Sequence, residues 1–303
     1  TRCSRDWSSD VCSSDLAQNH VAALDQKTGK LLWQVHIIDG GSPGHLQGSF
    51  KSPVVYYDGL IYFGSADSRR GVAHAVDAAT GEVVWRFYGT PGPGEFGNDT
   101  WEGDSWRMGG AAPWMHPAID PELGLVYWTF GNARDSHYMA VDGSTRGGQN
   151  LFANSILALD AKTGKRRWHF QSVHHDIWDM DGVMAPVLAD IPVDGHTRRI
   201  VIYGSKTGMY YVLDRQTGQP VTPIVETPVP QQPLQKTWPT SPFRRVMLCC
   251  HCASATVLVP IRCRQTISSA ACSRHIWTFR WCSRLVPAEA WTGVQSLSIH
   301  VAG

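Results

Sequence analysis

Apolar and polar positions alternate along most of the chain in runs too short for helices, and the runs come in pairs around one recurring phrase. Ala23-Leu24-Asp25 leads through Thr28-Gly29 to Trp33, and Ala75-Val76-Asp77 through Thr80-Gly81 to Trp85. Ala158-Leu159-Asp160 leads through Thr163-Gly164 to Trp168, and Val212-Leu213-Asp214 through Thr217-Gly218 to Thr222, which stands in the Trp position. Period-two alternation on both sides of the Asp and the Gly predicts two short strands joined by a tight turn in each copy. The Asp carboxylate suits the turn because it accepts bonds from backbone N–H groups just ahead. Gly takes the positive φ that closes the hairpin. The Trp supplies a large apolar plate for packing between neighbouring units.

A second hairpin precedes the phrase. Pro53-Val54-Val55-Tyr56 turns at Asp58-Gly59 into Leu60-Ile61-Tyr62-Phe63-Gly64, and Pro117-Ala118-Ile119 turns at Glu122-Leu123-Gly124 into the run ending Phe130-Gly131. Pro186-Val187-Leu188 passes Asp194-Gly195 into Ile200-Val201-Ile202-Tyr203-Gly204. Two hairpins per repeat predict a four-stranded antiparallel sheet, and a phrase that returns along the chain predicts a repeat architecture. The fold class is therefore all-β, a partial β-propeller of about four blades.

Composition agrees with this class and narrows the function. The 303 residues include 29 Gly and 13 Trp, and the formal net charge is +1. Near-balanced charge without a basic stripe argues against a nucleic-acid partner, and no apolar run is long enough to span a bilayer as a helix. All 8 Cys lie outside the repeats: Cys3 and Cys12 precede them, and the other six fall between Cys249 and Cys282. From Arg244 onward there are seven Arg, no Lys, no Asp and one acid, Glu289. Such a break predicts that residues 244–303 are a frameshifted or disordered tail, and residues 1–16 look equally foreign and resemble no signal peptide. The propeller would occupy 17–243, and the chain is expected to be a fragment of a larger ring. Cys249, Cys250, His251 and Cys252 lack an ordered partner set at zinc-type spacing.

Several residues have no evident task in the fold. Corresponding loops carry Gly64-Ser65-Ala66-Asp67, Gly131-Asn132 and Gly204-Ser205-Lys206. The connections between blades carry Thr100-Trp101-Glu102-Gly103-Asp104-Ser105-Trp106, Gly109-Gly110-Ala111-Ala112-Pro113-Trp114 and His174-His175-Asp176-Ile177-Trp178-Asp179-Met180-Asp181. In a propeller these share one face, so an amide, carboxylates, an ammonium and a Trp are predicted to converge there, as a polar planar ligand and a cation would require. Singly, each has a plainer use. Asn132 could cap a turn, Lys206 could be a solvated charge, and Trp114 could pack between blades. Asp179 and Asp181 could hold backbone N–H groups in a corner, and His174-His175 has no third metal ligand at suitable spacing.

Trp101-Glu102-Gly103-Asp104 with Gly109-Gly110, Phe130-Gly131-Asn132, His175-Asp176-Ile177-Trp178-Asp179 and Lys206-Thr207-Gly208 resemble the quinoprotein dehydrogenases that use pyrroloquinoline quinone (PQQ). The run from His174 to Asp181 looks like the membrane glucose and polyol dehydrogenases, and the Trp-Glu-Gly-Asp segment like the methanol and ethanol branch. The resemblance implies an eight-bladed periplasmic parent that holds the quinone beside calcium or a lanthanide. It oxidises an alcohol, polyol or sugar and passes electrons to cytochrome c or ubiquinone. By the same resemblance Trp114 is the floor under the quinone and Lys206 donates to its oxygens. Asp179 is the general base for hydride transfer, and Asn132, Asp179 and Asp181 are metal ligands. In the loop Ser65 to Arg69, where the alcohol branch has a metal-binding Glu, only Asp67 could substitute, and Ala112 stands where that branch has a hydroxyl. A non-catalytic propeller acting as an assembly or binding scaffold, or an inactive truncated product, would share the repeats. A scaffold would have no reason to direct Trp114, Asn132, Asp179 and Lys206 at one point.

Overall fold

The computed structural model describes residues 20–37, 49–50, 52–66, 69–134, 146–193, 195–229 and 238–243. All of them belong to the unit Thr1–Arg245, whereas the unit Val246–Gly303 contains none. The two foreign-looking tails, the cysteines and Asp67 lie outside the described residues.

The described chain is built of strands, with two short 3-10 turns at Asn98–Thr100 and Ser105–Met108. β1 (His20–Leu24) pairs antiparallel with β2 (Leu31–His36). In the second sheet β3 (Ser49–Phe50) and β4 (Val55–Tyr57) both pair with β5 (Leu60–Ala66), which continues to β6 (Val72–Asp77) and β7 (Val83–Tyr88). The third sheet runs β8 (Ala118–Asp120), β9 (Leu125–Phe130), β10 (Ser155–Asp160), β11 (Arg166–Gln171), in sequence order across the sheet. The fourth has β12 (Val187–Val193), β13 (His196–Gly204) and β14 (Tyr210–Asp214), and β15 (Val225–Pro228) pairs with β16 (Thr240–Phe243). These are the blades of a partial propeller, each a meander, as the hairpin pattern predicts.

One strand departs from the expectation. After Gly218 the fourth phrase makes only a bridge between Leu213 and Pro220 and a bond from Val221 N–H to the Val212 carbonyl at 2.9 Å. Pro220 has no N–H to give a ladder and Pro223 follows closely, so the fourth strand of that blade does not form.

The turns follow one design. In the first copy Asp25 Oδ1 accepts from Thr28 N at 2.9 Å and from Thr28 Oγ1 at 2.8 Å. Asp77, Asp160 and Asp214 do the same with Thr80, Thr163 and Thr217. The turn glycines Gly29, Gly81, Gly164 and Gly218 all have φ between 68° and 77°. Each Trp then docks on the next copy. Trp33, Trp85 and Trp168 donate Nε1–H to the carbonyls of Ala78, Ala161 and Arg215, at 3.1, 2.9 and 3.0 Å. Those acceptors are the residues directly after the next phrase's Asp. The rings lie against the next turn glycine, where a Cβ on Gly164 would come within 2.6 Å of Trp85. Behind this contact Tyr62, Trp85, Trp128, Phe130, Leu157 and Leu159 form a buried cluster between the second and third sheets.

The segment Gly109–Trp114 lies across the strand ends and carries the first candidate site residue. Gly110 N–H donates to the Arg69 carbonyl at 2.8 Å, Ala111 N–H to Asn132 at 3.0 Å, and Gly131 N–H to Ala112 at 3.0 Å. Just beyond Trp114 the Met115 carbonyl accepts from Trp128 Nε1 at 2.8 Å and Ser52 Oγ at 3.1 Å. The Trp114 ring is thereby laid over Gly131, where a Cβ would stand 2.2 Å from it.

Two substitutions test this packing. Gly124 has φ 63° in open space, whereas Gly164 has φ 68° against Trp85, so alanine strains the backbone at both but meets a ring only at Gly164. Gly164→Ala is expected to cost about 1–3 kcal/mol more than Gly124→Ala in urea unfolding; equal costs would deny the Trp a docking role. Gly131→Ala should shift the Trp114 indole N–H resonance in a 15N–1H spectrum and leave those of Trp33 and Trp168 in place; an unmoved Trp114 signal would contradict the seat described.

Candidate functional site

Asn132 follows Gly131 at the end of β9 and is 6% exposed. Its backbone N–H donates to Asp181 Oδ1 at 3.1 Å. Asp181 comes from the connection between β11 and β12, and its side chain is nearly buried. Its other oxygen, Oδ2, accepts from Lys206 Nζ at 2.6 Å. Lys206 stands in the turn between β13 and β14, where its backbone N–H also reaches the Asp181 carbonyl at 3.4 Å. The same Nζ donates to Asp179 Oδ2 at 3.1 Å. Asp179 and Lys206 are about half exposed, with side-chain accessibilities of 49% and 52%. Trp114 joins them, since a Cβ at Gly131, beneath its ring, would stand 3.1 Å from Asp181 Oδ1. Trp114, Asn132, Asp179, Asp181 and Lys206, drawn from four separate stretches of chain, meet in one place.

The electrostatics are those of two carboxylates sharing one ammonium. Burial pushes the Asp181 carboxyl above its usual range. The bond from Lys206 opposes this, the Asp179 charge adds to it, and the Asn132 N–H opposes it again. For Lys206, burial alone would lower the amine, but its bonds and charge interactions with Asp181 and Asp179 outweigh it and leave the pKa raised. The ammonium is therefore held in its charged form, with donors aimed at the space between the two acids.

The donor set fits a hard cation. The Asn132 carboxamide makes no hydrogen bond to another described residue, while its backbone N–H is tied to Asp181; amide and carboxylate oxygens are the ligand type such ions prefer. Among the described residues no group of three acidic, His or Cys side chains forms a metal cluster. Asp67, the remaining candidate ligand, lies outside the described residues.

Other residues of the motifs lie apart from this centre. Trp101 is buried in a cluster with Ala111, Ala133 and Ala153 and donates Nε1–H to the Leu151 carbonyl at 2.5 Å. Glu102, Gly103 and Asp104 are exposed. His175 is buried with Nδ1 2.7 Å from the Gly148 carbonyl, and His174 lies between Gln171 Oε1 at 2.6 Å and Glu226 Oε1 at 3.2 Å. Both histidines serve packing and hydrogen bonding, as the missing third ligand suggests. Asp181 does hold a backbone N–H, the plain use open to a corner acid, but with one oxygen only. Sequence reasoning passed over Gly131, whose lack of a side chain seats Trp114. The cue was its place directly before Asn132.

A family profile described as "PQQ: Glucose/ethanol/alcohol dehydrogenase, beta-propeller domain" matches residues 43–294. The quinohemoprotein alcohol dehydrogenase ADH IIB of Pseudomonas putida is 36% identical over 211 residues, covering 65% of this chain and 30% of that protein. The dehydrogenase subunit of the quinone alcohol dehydrogenase of Gluconobacter oxydans is 34% identical over 225 residues, covering 66% of this chain and 29% of that protein. Among solved structures, the quinohemoprotein alcohol dehydrogenase from Comamonas testosteroni superposes with a TM-score of 0.61 at 29% identity, over 73% of this chain and 35% of that one. A europium-containing methanol dehydrogenase gives a TM-score of 0.58 at 28% identity, over 68% of this chain and 39% of that one. The chain thus spans about 30% of the length of the curated relatives it matches. With the repeat, the blades and the profile in agreement, the chain belongs to the β-propeller family of PQQ-dependent glucose, ethanol and alcohol dehydrogenases.

Proposed function

We propose that this chain is the site-bearing part of a quinoprotein dehydrogenase that oxidises an alcohol hydroxyl, with pyrroloquinoline quinone and calcium or a lanthanide as cofactors. One observation carries the reading: Lys206 Nζ spans Asp179 and Asp181, while Asp181 also holds Asn132 and borders the seat of Trp114. A propeller kept only as a scaffold has no use for that constellation. The names of the relatives, alcohol dehydrogenases from several bacteria and a lupanine 17-hydroxylase marked for cytochrome c, support an alcohol substrate and a cytochrome c acceptor. Polyols, sugars and ubiquinone are the wider range that the motifs suggest, and the periplasm is the site of action that the family resemblance suggests. The composition breaks support residues 17–243 as the propeller portion.

Each residue is given the task that its side-chain chemistry allows. Trp114 offers a flat apolar face for the tricyclic quinone. Asn132, Asp179 and Asp181 offer oxygens to the cation, with Asp67 as a further ligand. Lys206 would offer N–H donors to the quinone and a positive charge to offset negative charge on it. When bound, the quinone would supply a hydride acceptor and the cation a Lewis acid. Asp179, half exposed and open to substrate, takes the hydroxyl proton as the carbinol hydride leaves, so the alcohol loses one proton and one hydride and becomes a carbonyl.

In the full-length protein that contains this segment, reconstituted with PQQ and calcium and assayed with a dye acceptor, Asp179→Asn should lower turnover by about 100-fold or more. Quinone binding, read by its absorbance, should survive. Lost binding with unchanged turnover per bound quinone would overturn the base assignment. No turnover on any alcohol or sugar, together with no quinone binding by the unsubstituted protein, would favour the scaffold.

A further inference from the structure

Asp179 and Asp181 sit on a stretch, residues 176–182, that belongs to no strand or helix. Backbone outside a ladder must find its partners elsewhere. Here they are two buried side chains. Asp176 is 1% exposed; its Oδ1 accepts from Trp178 N at 2.8 Å and its Oδ2 from Met180 N at 2.7 Å. Oδ2 also accepts from Asn154 Nδ2 at 2.7 Å, and Asn154 Oδ1 accepts from Gly182 N at 3.0 Å. The N–H groups of 178, 180 and 182, those that flank Asp179 and Asp181, are thus all turned toward one Asp–Asn pair.

That pair is itself anchored. The Asn154 N–H donates to the Gly131 carbonyl at 2.8 Å, next to Asn132. The Asn154 carbonyl accepts from Ser172 N at 2.8 Å, Ser172 Oγ at 3.0 Å and the Tyr203 hydroxyl at 3.3 Å. Arg146 holds the far side, donating to the Asp176 carbonyl and, at 2.6 Å, to Asn150 Oδ1. Neither Asp176 nor Asn154 hydrogen-bonds to Lys206, whose side chain bonds to Asp179 and Asp181.

We propose that Asp176 and Asn154 are positioning residues: together they set the spacing at which Asp179 and Asp181 can be spanned by one cationic group, the Lys206 ammonium or a metal ion. The metal half of this rests on the function proposed above. The chemistry leaves little latitude. In Asp176→Asn, whichever way the new amide turns, its NH2 faces a backbone N–H, that of Trp178 or that of Met180; in the Oδ2 place it also forces the Asn154 amide either to meet it or to give up Gly182. The exchange Asp176→Asn with Asn154→Asp restores the side-chain pair and the acceptors for Trp178 and Gly182, leaving only Met180 without one.

The test uses the chain itself with terbium as the probe, followed by luminescence excited through the indoles, alongside hydrogen exchange of peptides covering 176–182. Asp176→Asn should speed exchange in that stretch by about tenfold or more while β10 and β11 keep their protection. It should weaken terbium binding by about tenfold or more. The exchanged pair should recover part of both, and Gly124→Ala, which strains a distant turn, should alter neither. Unchanged exchange at 176–182, or acceleration spread evenly over the sheets, would overturn the positioning role. So would terbium affinity retained despite faster exchange. An unsubstituted chain that binds no terbium, yet shows the local exchange response and its recovery, would overturn the metal reading and leave the pair as the determinant of the Asp179–Asp181 spacing.

Discussion

The docking of each phrase's Trp on the following Thr-Gly turn governs the rest of the molecule. An indole buries more apolar surface than any other side chain, and its removal from a packed interface typically costs about 3–5 kcal/mol. Here the ring also carries a directional bond, Nε1–H to the carbonyl just past the next Asp, at 2.9–3.1 Å in all three copies. Apolar contact alone would let one blade slide on the next. A bond to a single carbonyl, with a bare glycine beneath the ring, permits one register. Tyr62 and Tyr127 reinforce it by donating their hydroxyls to the same carbonyls, Ala161 and Arg215, at 3.2 and 3.0 Å.

That register brings distant loops together. The site residues come from the segment before β8, the end of β9, the β11–β12 connection and the β13–β14 turn. No local interaction in sequence could join them, and rigid blades whose relative rotation is set elsewhere can. The Gly109–Trp114 segment makes the last adjustment. It lies close over the strand ends, where a Cβ at Gly64 would fall 1.9 Å from the Pro113 carbonyl oxygen. The repeats provide position, and the absence of side chains at Gly64 and Gly131 provides room.

Charge is the second constraint. Two acids close enough to share an ammonium repel each other, and burial of Asp181 sharpens the repulsion. Lys206 relieves it and is kept ionised in return. The half exposure of Asp179 and Lys206 leaves that compensation open to a ligand from the solvent side. A near-buried acid and an accessible acid joined by one ammonium are the feature on which the proposed cation and proton chemistry rests.

Much of this was legible in the residues. The Asp–Thr–Gly–Trp phrase encodes its own turn because the carboxylate, the hydroxyl and the positive-φ glycine act within a few residues of one another. It therefore read correctly in every copy up to Gly218. Pro220 carried the one departure, since a residue without an N–H cannot continue a ladder. Asn132, Asp179, Asp181 and Lys206 stood out because they recur at matching blade positions without a task in the strands. Asp176 and Asn154 did not, because a buried acid and a buried amide are recognisable as a pair only when the chain has brought them to 2.7 Å. The order of strands and turns is a matter of short-range bonding and was settled by the sequence alone. The meeting of Trp114 with Gly131, and of Lys206 with two acids, depends on how one blade is rotated against the next, a quantity set by long-range packing that only the tertiary structure contains.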